Sequence, residues 1–348
     1  MDRQDYELSF LLRYDNVAWY EDGKVKILDR RIYPIETKYV VCESHEQVAQ
    51  AIADMVTQSG GPYTAASMGM ALAAYEAREF TKKKFQAYME KAACTLSHAR
   101  PTTVKKMTAI TDRAMNVVKE QLSEGKSGRE IVEAIFNDNI DRLNKHYTRY
   151  EKAGEYLCRL IPSDGTVMTQ CFAETIIGML LRAAKRYGKA INFICPETRP
   201  YYQGARLTAS VIHDMGFPVT VICDNMPAYV MKEKKVDVFT SAADVICMDG
   251  HIINKIGTFQ IALAACYLGI PYFVTGMPNE SHPTVDSVVI ECRNSELVLE
   301  SMGKKHTMPG VNGYYPSFDI TPPKLCDGVV TDRGVYPAYD LKKYFDNE

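Results

Sequence analysis

The stretch TVMTQCFAET, residues 166–175, places Cys171 where a short apolar run ends and a helix-like pattern begins. A thiol between a strand end and the N-terminal amides of a helix is a candidate thiolate, because those amides favour negative charge. Similar junctions further along collect more polar groups. ETRPYYQGAR offers Glu197, Thr198, Arg199, Gln203 and Arg206; then come Asp224 and Asn225, Asp244, Asp249, and finally His251, Asn254 and Lys255 in GHIINKIGT. Carboxylates and a thiol move protons, whereas a lysine, amide donors and helix ends hold phosphate. Each group also has an ordinary structural use. A lone cysteine in an apolar strand is more often a packing residue, and an aspartate after a strand is more often a cap or turn former. Lys255 could be solvated beside a plain helix cap, and His251 lacks a second His or Cys at metal-ligand spacing, so no metal site is expected.

Two kinds of element must position these residues. VAWYEDGKVKILDRRIYPIETKYVVC alternates apolar and polar residues around Asp22-Gly23, which predicts a hairpin and a further strand. From His45 to about Leu160 apolar residues recur every three or four positions, predicting a helical bundle. After Ser163-Asp164-Gly165 the pattern changes to short apolar runs, TVMTQC, AINFIC, PVTVIC, DVFTS, DVICMDG, IPYFVTG and SVVIEC, separated by helix-length segments. The predicted class is α/β, with a small N-terminal β element and helical domain (residues 1–155) and a C-terminal Rossmann-like parallel-sheet domain (156–348). The Pro- and Tyr-rich tail from Tyr314 is expected to wrap irregularly over the second domain.

Bulk properties narrow the function. In 348 residues, 41 basic and 43 acidic side chains give a formal charge of −2, too little for a field that attracts nucleic acid or an anionic membrane. No apolar run approaches the roughly 20 residues of a membrane span, and the start lacks a signal-like core, so the cytoplasm is the expected compartment. The ten cysteines include no CxxC pair and read as reduced thiols. The absence of GxGxxG and P-loop motifs leaves a nicotinamide or nucleotide triphosphate reading with fold analogy alone.

ARPTTVKKM, ETRPYYQGARLTA, CDNMPAYVMKE, AADVICMDGHIINKIGTFQIALAA, IPYFVTG and YYPSFDITPPKL resemble, in that order, segments of the methylthioribose-1-phosphate isomerase family. That family also contains ribose-1,5-bisphosphate isomerase and the regulatory subunits of the exchange factor for translation initiation factor 2. The resemblance implies a helical domain and a Rossmann-like domain with the site in the cleft between them, a homodimer, a small sugar phosphate as partner, and no metal or redox cofactor. It places the catalytic cysteine on Cys171 and the catalytic aspartate on Asp244. It places substrate-holding positions on Arg100, Gln203, Asn254 and Lys255.

The chain departs from the family at several points. Ser59 stands in SGGPYTA where the isomerases carry a phosphate-binding arginine, leaving the backbone amides of Gly60 and Gly61. CFAE replaces CNxG, so Phe172 and Glu174 remake the wall, with Glu174 expected as a first-turn helix residue. DGH replaces NGD, bringing Asp249 and His251 close, and Tyr315 replaces an asparagine. The leading expectation is an aldose 1-phosphate to ketose 1-phosphate isomerase for a 5-methylthio or 5-deoxy ribose 1-phosphate. Asp244, protonated when buried, would donate to the ring oxygen while Cys171 removes the C2 proton. The competing expectation is a non-catalytic sugar-phosphate or nucleotide-binding subunit, favoured by Ser59 and disfavoured by the joint presence of Cys171 and Asp244.

Overall fold

The computed structural model describes residues 3–100 and 104–346. The chain forms two compact units, Met1–Thr148 and Arg149–Glu348, and the division falls inside one long helix.

In the first unit a short helix α1 (Tyr14–Val17) leads into strands β1 (Ala18–Glu21), β2 (Lys24–Leu28) and β3 (Tyr39–Cys42), an antiparallel sheet in that order. Asp22 and Gly23 both have positive φ, 47° and 75°, as the tight turn between β1 and β2 requires. Val25 and Ile27 alternate with exposed lysines, so one face of β2 is buried. Helices α2 (His45–Ala53), α3 (Gly61–Glu76), α4 (Lys82–Ser97), α5 (Val104–Ser123) and α6 (Gly128–Leu160) follow. Helix α3 is buried on nearly every side, its small residues letting α2, α4, α5 and β1 close on it. It starts four residues before the regular apolar pattern at Ala65, because Pro62 is tolerated in a first helical turn.

In the second unit the chain continues as β4 (Thr166–Met168), α7 (Thr175–Arg186), β5 (Asn192–Pro196), a π-turn into α8 (Ala209–Asp214), β6 (Val219–Ile222), α9 (Pro227–Glu233) and β7 (Val238–Ala242). Then come β8 (Val245–Ile246), β9 (Ile252–Lys255), α10 (Thr258–Leu268), β10 (Tyr272–Thr275), α11 (Glu296–Leu299), β11 (Glu300–Ser301) and β12 (Lys304–Lys305). The chain closes with β13 (Phe318–Thr321), β14 (Gly328–Val330) and β15 (Val335–Tyr336). Among the described residues the main sheet has the order β15-β14-β10-β7-β4-β5-β6 and is parallel except for β15. Its core includes Met168, Ile194, Val274 and Phe239, whose ring stacks on Tyr272 at 4.4 Å.

Three local expectations are corrected. SVVIEC forms no strand: a 3-10 turn covers Val285–Ser287, Val289 is 92% exposed, and Cys292 makes one isolated bridge to Pro316. The place beside β10 is taken by β14, from the tail expected to be irregular. DVICMDG supplies only β8, the edge of a separate antiparallel sheet in which β9 lies between it and β13. Among the described residues no helix is long and apolar enough to cross a membrane.

Candidate active site

Strand β4 sits between β5 and β7, and the chain leaves it for β5 and β6 on one side before returning to β7, β10 and β14 on the other. Connections therefore diverge between β4 and β7, and ligands of open α/β sheets bind at such a switch point, beyond the carboxyl ends of the strands. Cys171 follows β4 and Asp244 follows β7. Their placement comes from topology, through strands separated by about seventy residues of sequence.

Cys171 lies in an irregular link, three residues past β4 and four before α7. Its φ of 60° and the 48° of Glu174 put two non-glycine residues in the left-handed region within four positions, a strain that surrounding bonds must hold. One such bond runs from the Thr208 hydroxyl to the Cys171 carbonyl. A small, mainly apolar cavity lined by Leu157, Gln170, Ile176, Ile177 and Leu180 also borders Cys171. The surroundings favour the resting thiol over the thiolate. Burial pushes the Cys171 thiol up to about 11, and Lys255, the Phe172 N–H and Arg293 offset it only in part. Glu174 occupies the N-cap position of α7, not its first turn, and makes no side-chain cap bond to it.

The NKIGT motif is a strand end locked to a helix start. Asn254 donates to the Thr258 hydroxyl at 2.9 Å, and that hydroxyl donates to the Lys255 carbonyl at 2.7 Å. Gly257 turns the chain with φ 103°, and a Cβ there would lie 2.9 Å from the Gln170 amide nitrogen, so glycine is required twice over. The Asp319 carboxylate, on β13, caps α10 from outside the helix by accepting from Gly257 N–H at 2.7 Å and Phe259 N–H at 3.1 Å. Burial nevertheless raises its pKa to about 6.

Lys255 is not solvated: it is 5% exposed. Register pairs it with Phe318 across β9 and β13, and its Nζ stands 4.7 Å from that ring's centre. Among the described residues it has no side-chain hydrogen bond and no carboxylate within ion-pair reach. Burial pulls its pKa down; Cys171 and Asp244 oppose this and Arg293 adds to it.

Arg293, which no motif marked, and Tyr315, which replaces the family's asparagine, are two further neighbours. Arg293, largely buried, pairs with Glu291 at 3.3 Å and lies 5.8 Å from the ring centres of both Phe318 and Tyr201. Tyr315 is 3% exposed with its ring 6.2 Å from Tyr201, and burial raises its hydroxyl well above the usual value. An arginine closing the apolar run SVVIECR was the available signal for the first. Gln203 is also buried, and its side-chain oxygen has no hydrogen-bond partner among the described residues.

Other candidates have structural work. Asp224 accepts from the backbone N–H groups of Thr198 and Arg199, both at 2.7 Å. The Arg199 guanidinium closes α11 through the carbonyls of Val298 and Glu300, and Arg206 donates to the Tyr201 carbonyl. Asp249 accepts from His251 N–H and Val285 N–H and sits 3.1 Å from the His251 ring. Asn225 is exposed, and Glu197 is partly buried beside Asp224, with burial raising its pKa. Asp244 is exposed, so the burial on which its role as an acid was reasoned is absent in this structure.

Gly60, Gly61 and Arg100 belong to the first unit, and Ser59 is exposed there with φ 57°. The Gly61 amide is not open to a ligand, since it donates to the Gln58 carbonyl at 3.1 Å. Part of the ARPTTVKKM segment, residues 101–103, lies outside the described residues. The one cluster among the described residues with metal-ligand spacing is His45, Glu46 and Glu76 in the first unit, where His45 already bonds Glu76 at 2.9 Å.

Residues 59–338 match the model of the initiation factor 2 subunit family. The methylthioribose-1-phosphate isomerase of Heliobacterium modesticaldum is 36% identical over 93% of this chain and 96% of its own, and that of Pelotomaculum thermopropionicum 33% over 94% and 92%. The crystal structure of 5-methylthioribose 1-phosphate isomerase from Pyrococcus horikoshii superimposes with a TM-score of 0.86 at 31% identity, covering 97% of this chain and 98% of that one. The structure of translation initiation factor eIF-2B, subunit delta, from A. fulgidus gives 0.84 at 30%, covering 95% and 99%. By sequence over most of its length and by fold, the chain belongs to the initiation factor 2 subunit family, in the branch of its isomerase enzymes.

Proposed function

We propose that this protein interconverts an aldose 1-phosphate and a ketose 1-phosphate, with 5-methylthioribose 1-phosphate or 5-deoxyribose 1-phosphate as substrate. The observation that carries this reading is Lys255, a buried ammonium beside Cys171 with no hydrogen bond and no carboxylate within ion-pair reach among the described residues. Leaving such a charge unpaired is costly, so the site is built to receive an anion. A phosphate or a developing oxyanion supplies it. The partnerless oxygen of buried Gln203 suits a sugar hydroxyl donor. The resemblance adds Arg100 as a phosphate-holding group, a homodimer and the cytoplasm, and Gly60 is left as the glycine of the Ser59 turn that could offer an amide.

Two proton-handling groups account for the chemistry. The Cys171 thiolate takes the C2 proton while the ring C1–O4 bond breaks, and Asp244 protonates O4, leaving a C1–C2 enol phosphate. Asp244 then recovers the O2 proton and Cys171 returns its proton to C1, giving the ketose with no net gain or loss. Because the resting thiol titrates at about 11, the thiolate is scarce at neutral pH. The account therefore requires kcat/KM to rise about tenfold per pH unit from pH 6 to 8, whereas a flat profile would remove Cys171 as the base. The test of the function is to follow ketose formation by phosphorus and proton NMR with the two substrates and with ribose 1-phosphate. Turnover of either 5-substituted sugar supports it. Binding without turnover of all three would favour the regulatory-subunit reading that Ser59 suggests.

A further inference from the structure

We infer that Arg30 is a positioning residue of the turn that begins α3, bringing back the positive charge that the isomerases carry at the position of Ser59. This rests on the sugar-phosphate reading, and the observations lie in the first unit.

Arg30 is completely buried, and it lies against residues 56–61. Its backbone N–H donates to the Val56 carbonyl at 2.7 Å, and its guanidinium Nη1 donates to the Gln58 carbonyl at 2.7 Å. A Cβ placed on Gly61 would stand 3.4 Å from that same Nη1 and 1.8 Å from the Thr57 hydroxyl, so arginine and threonine both close on the first residue of α3. The Thr57 hydroxyl and the Gln58 side-chain oxygen are buried and without hydrogen-bond partners among the described residues. A turn that buries two unanswered polar atoms beside a guanidinium is arranged for a polar ligand.

The hydrogen bond to Gln58 also sets a direction. The Gln58–Ser59 peptide is trans, so its N–H points opposite its carbonyl. Holding that carbonyl toward Arg30 turns the Ser59 N–H outward. Arg30 thus fixes one amide donor of the turn and puts a permanent charge behind it, where the family arginine would stand in front.

The experiment titrates inorganic phosphate into the full-length protein by calorimetry. Arg30→Gln keeps a donor for the Gln58 carbonyl and removes the charge. It is expected to weaken phosphate binding about tenfold or more, the usual scale of a charge-assisted contact, and to raise KM for the sugar phosphate by a larger factor than it lowers kcat. Arg30→Gln/Ser59→Arg, with the charge moved to the family position, is expected to recover most of the loss. Native-like phosphate affinity in folded Arg30→Gln would overturn the inference, as would failure of the native protein to bind phosphate. If Arg30→Gln does not fold, Arg30→Lys decides, since it retains the charge: affinity within about threefold of native supports the inference, and a loss of tenfold or more contradicts it. Failure of the native protein to turn over any sugar phosphate would sink the isomerase reading alone, leaving the phosphate titration to judge Arg30.

Discussion

Two strand ends of the second unit carry the same kinds of residue and use them in opposite ways. Past β5 and β6, the carboxylate of Asp224 is answered by two backbone N–H groups, and the guanidinium of Arg199 is spent on carbonyls at the end of α11. At the end of β9, Asn254, Gly257 and Thr258 are just as firmly locked, yet Lys255 between them is buried against an aromatic ring with no hydrogen bond or contact ion pair among the described residues. The first cluster is closed chemistry that shapes a loop. The second leaves one charge unanswered, and that marks where a ligand belongs. Charged residues at strand ends are therefore informative only once their partners are counted.

The largest effect expected from this contrast is on turnover. Cys171→Ser should lower kcat by about a hundredfold to ten-thousandfold, the range of a lost proton-transfer group, while phosphate binding persists; retained turnover in a steady-state assay would break the assignment. On the closed side, Asp224→Ala leaves two buried N–H groups unanswered and should cost about 2–3 kcal/mol in denaturant unfolding, with a far smaller change in kcat. A loss of activity exceeding the loss of stability would erase the distinction between the two strand ends.

The smallest effect sharpens the comparison from within the β9 turn. Asp319 has its pKa raised to about 6 in the folded protein. Between the unfolded carboxyl value and pH 6 the folded state binds more protons than the unfolded, so this group's contribution to stability falls as pH rises through that window. Asp319→Asn should flatten that part of the stability curve relative to the native protein. An unaltered difference between pH 4 and 6.5 would show that the capping N–H groups, not burial, control the carboxyl.

The parts of this picture that were legible in the sequence are those set by neighbours in the chain. Asp22-Gly23 announced its hairpin, the three- and four-residue spacing announced α2 through α6, and the apolar runs announced β4, β5, β6, β7 and β10. The rest depends on long-range pairing. Lys255 is buried because β9 pairs with β13, some sixty residues later, which brings Phe318 over its stem; no local pattern encodes that. The same pairing hid Asp319, and β14 displaced SVVIEC from the sheet although that run has every local property of a strand. Cys171, Asp244 and Lys255 stood out through family motifs and Tyr315 through its departure from one, whereas Arg293 sits in irregular chain and had only an interrupted apolar run to signal it. Arg30 lies in the loop after β2 with no chemical motif around it, and only its contact with Gln58 gives it meaning.

The central claim is that Lys255 is a buried charge kept for a ligand and not for the fold. Lys255→Met tests it in one protein with two readouts, the melting temperature and the rate of ketose formation. The account predicts a melting temperature equal to or above the native value, because a buried unpaired ammonium is replaced by an apolar chain of similar length, together with a loss of at least about a hundredfold in kcat/KM. A lower melting temperature with turnover retained would contradict it.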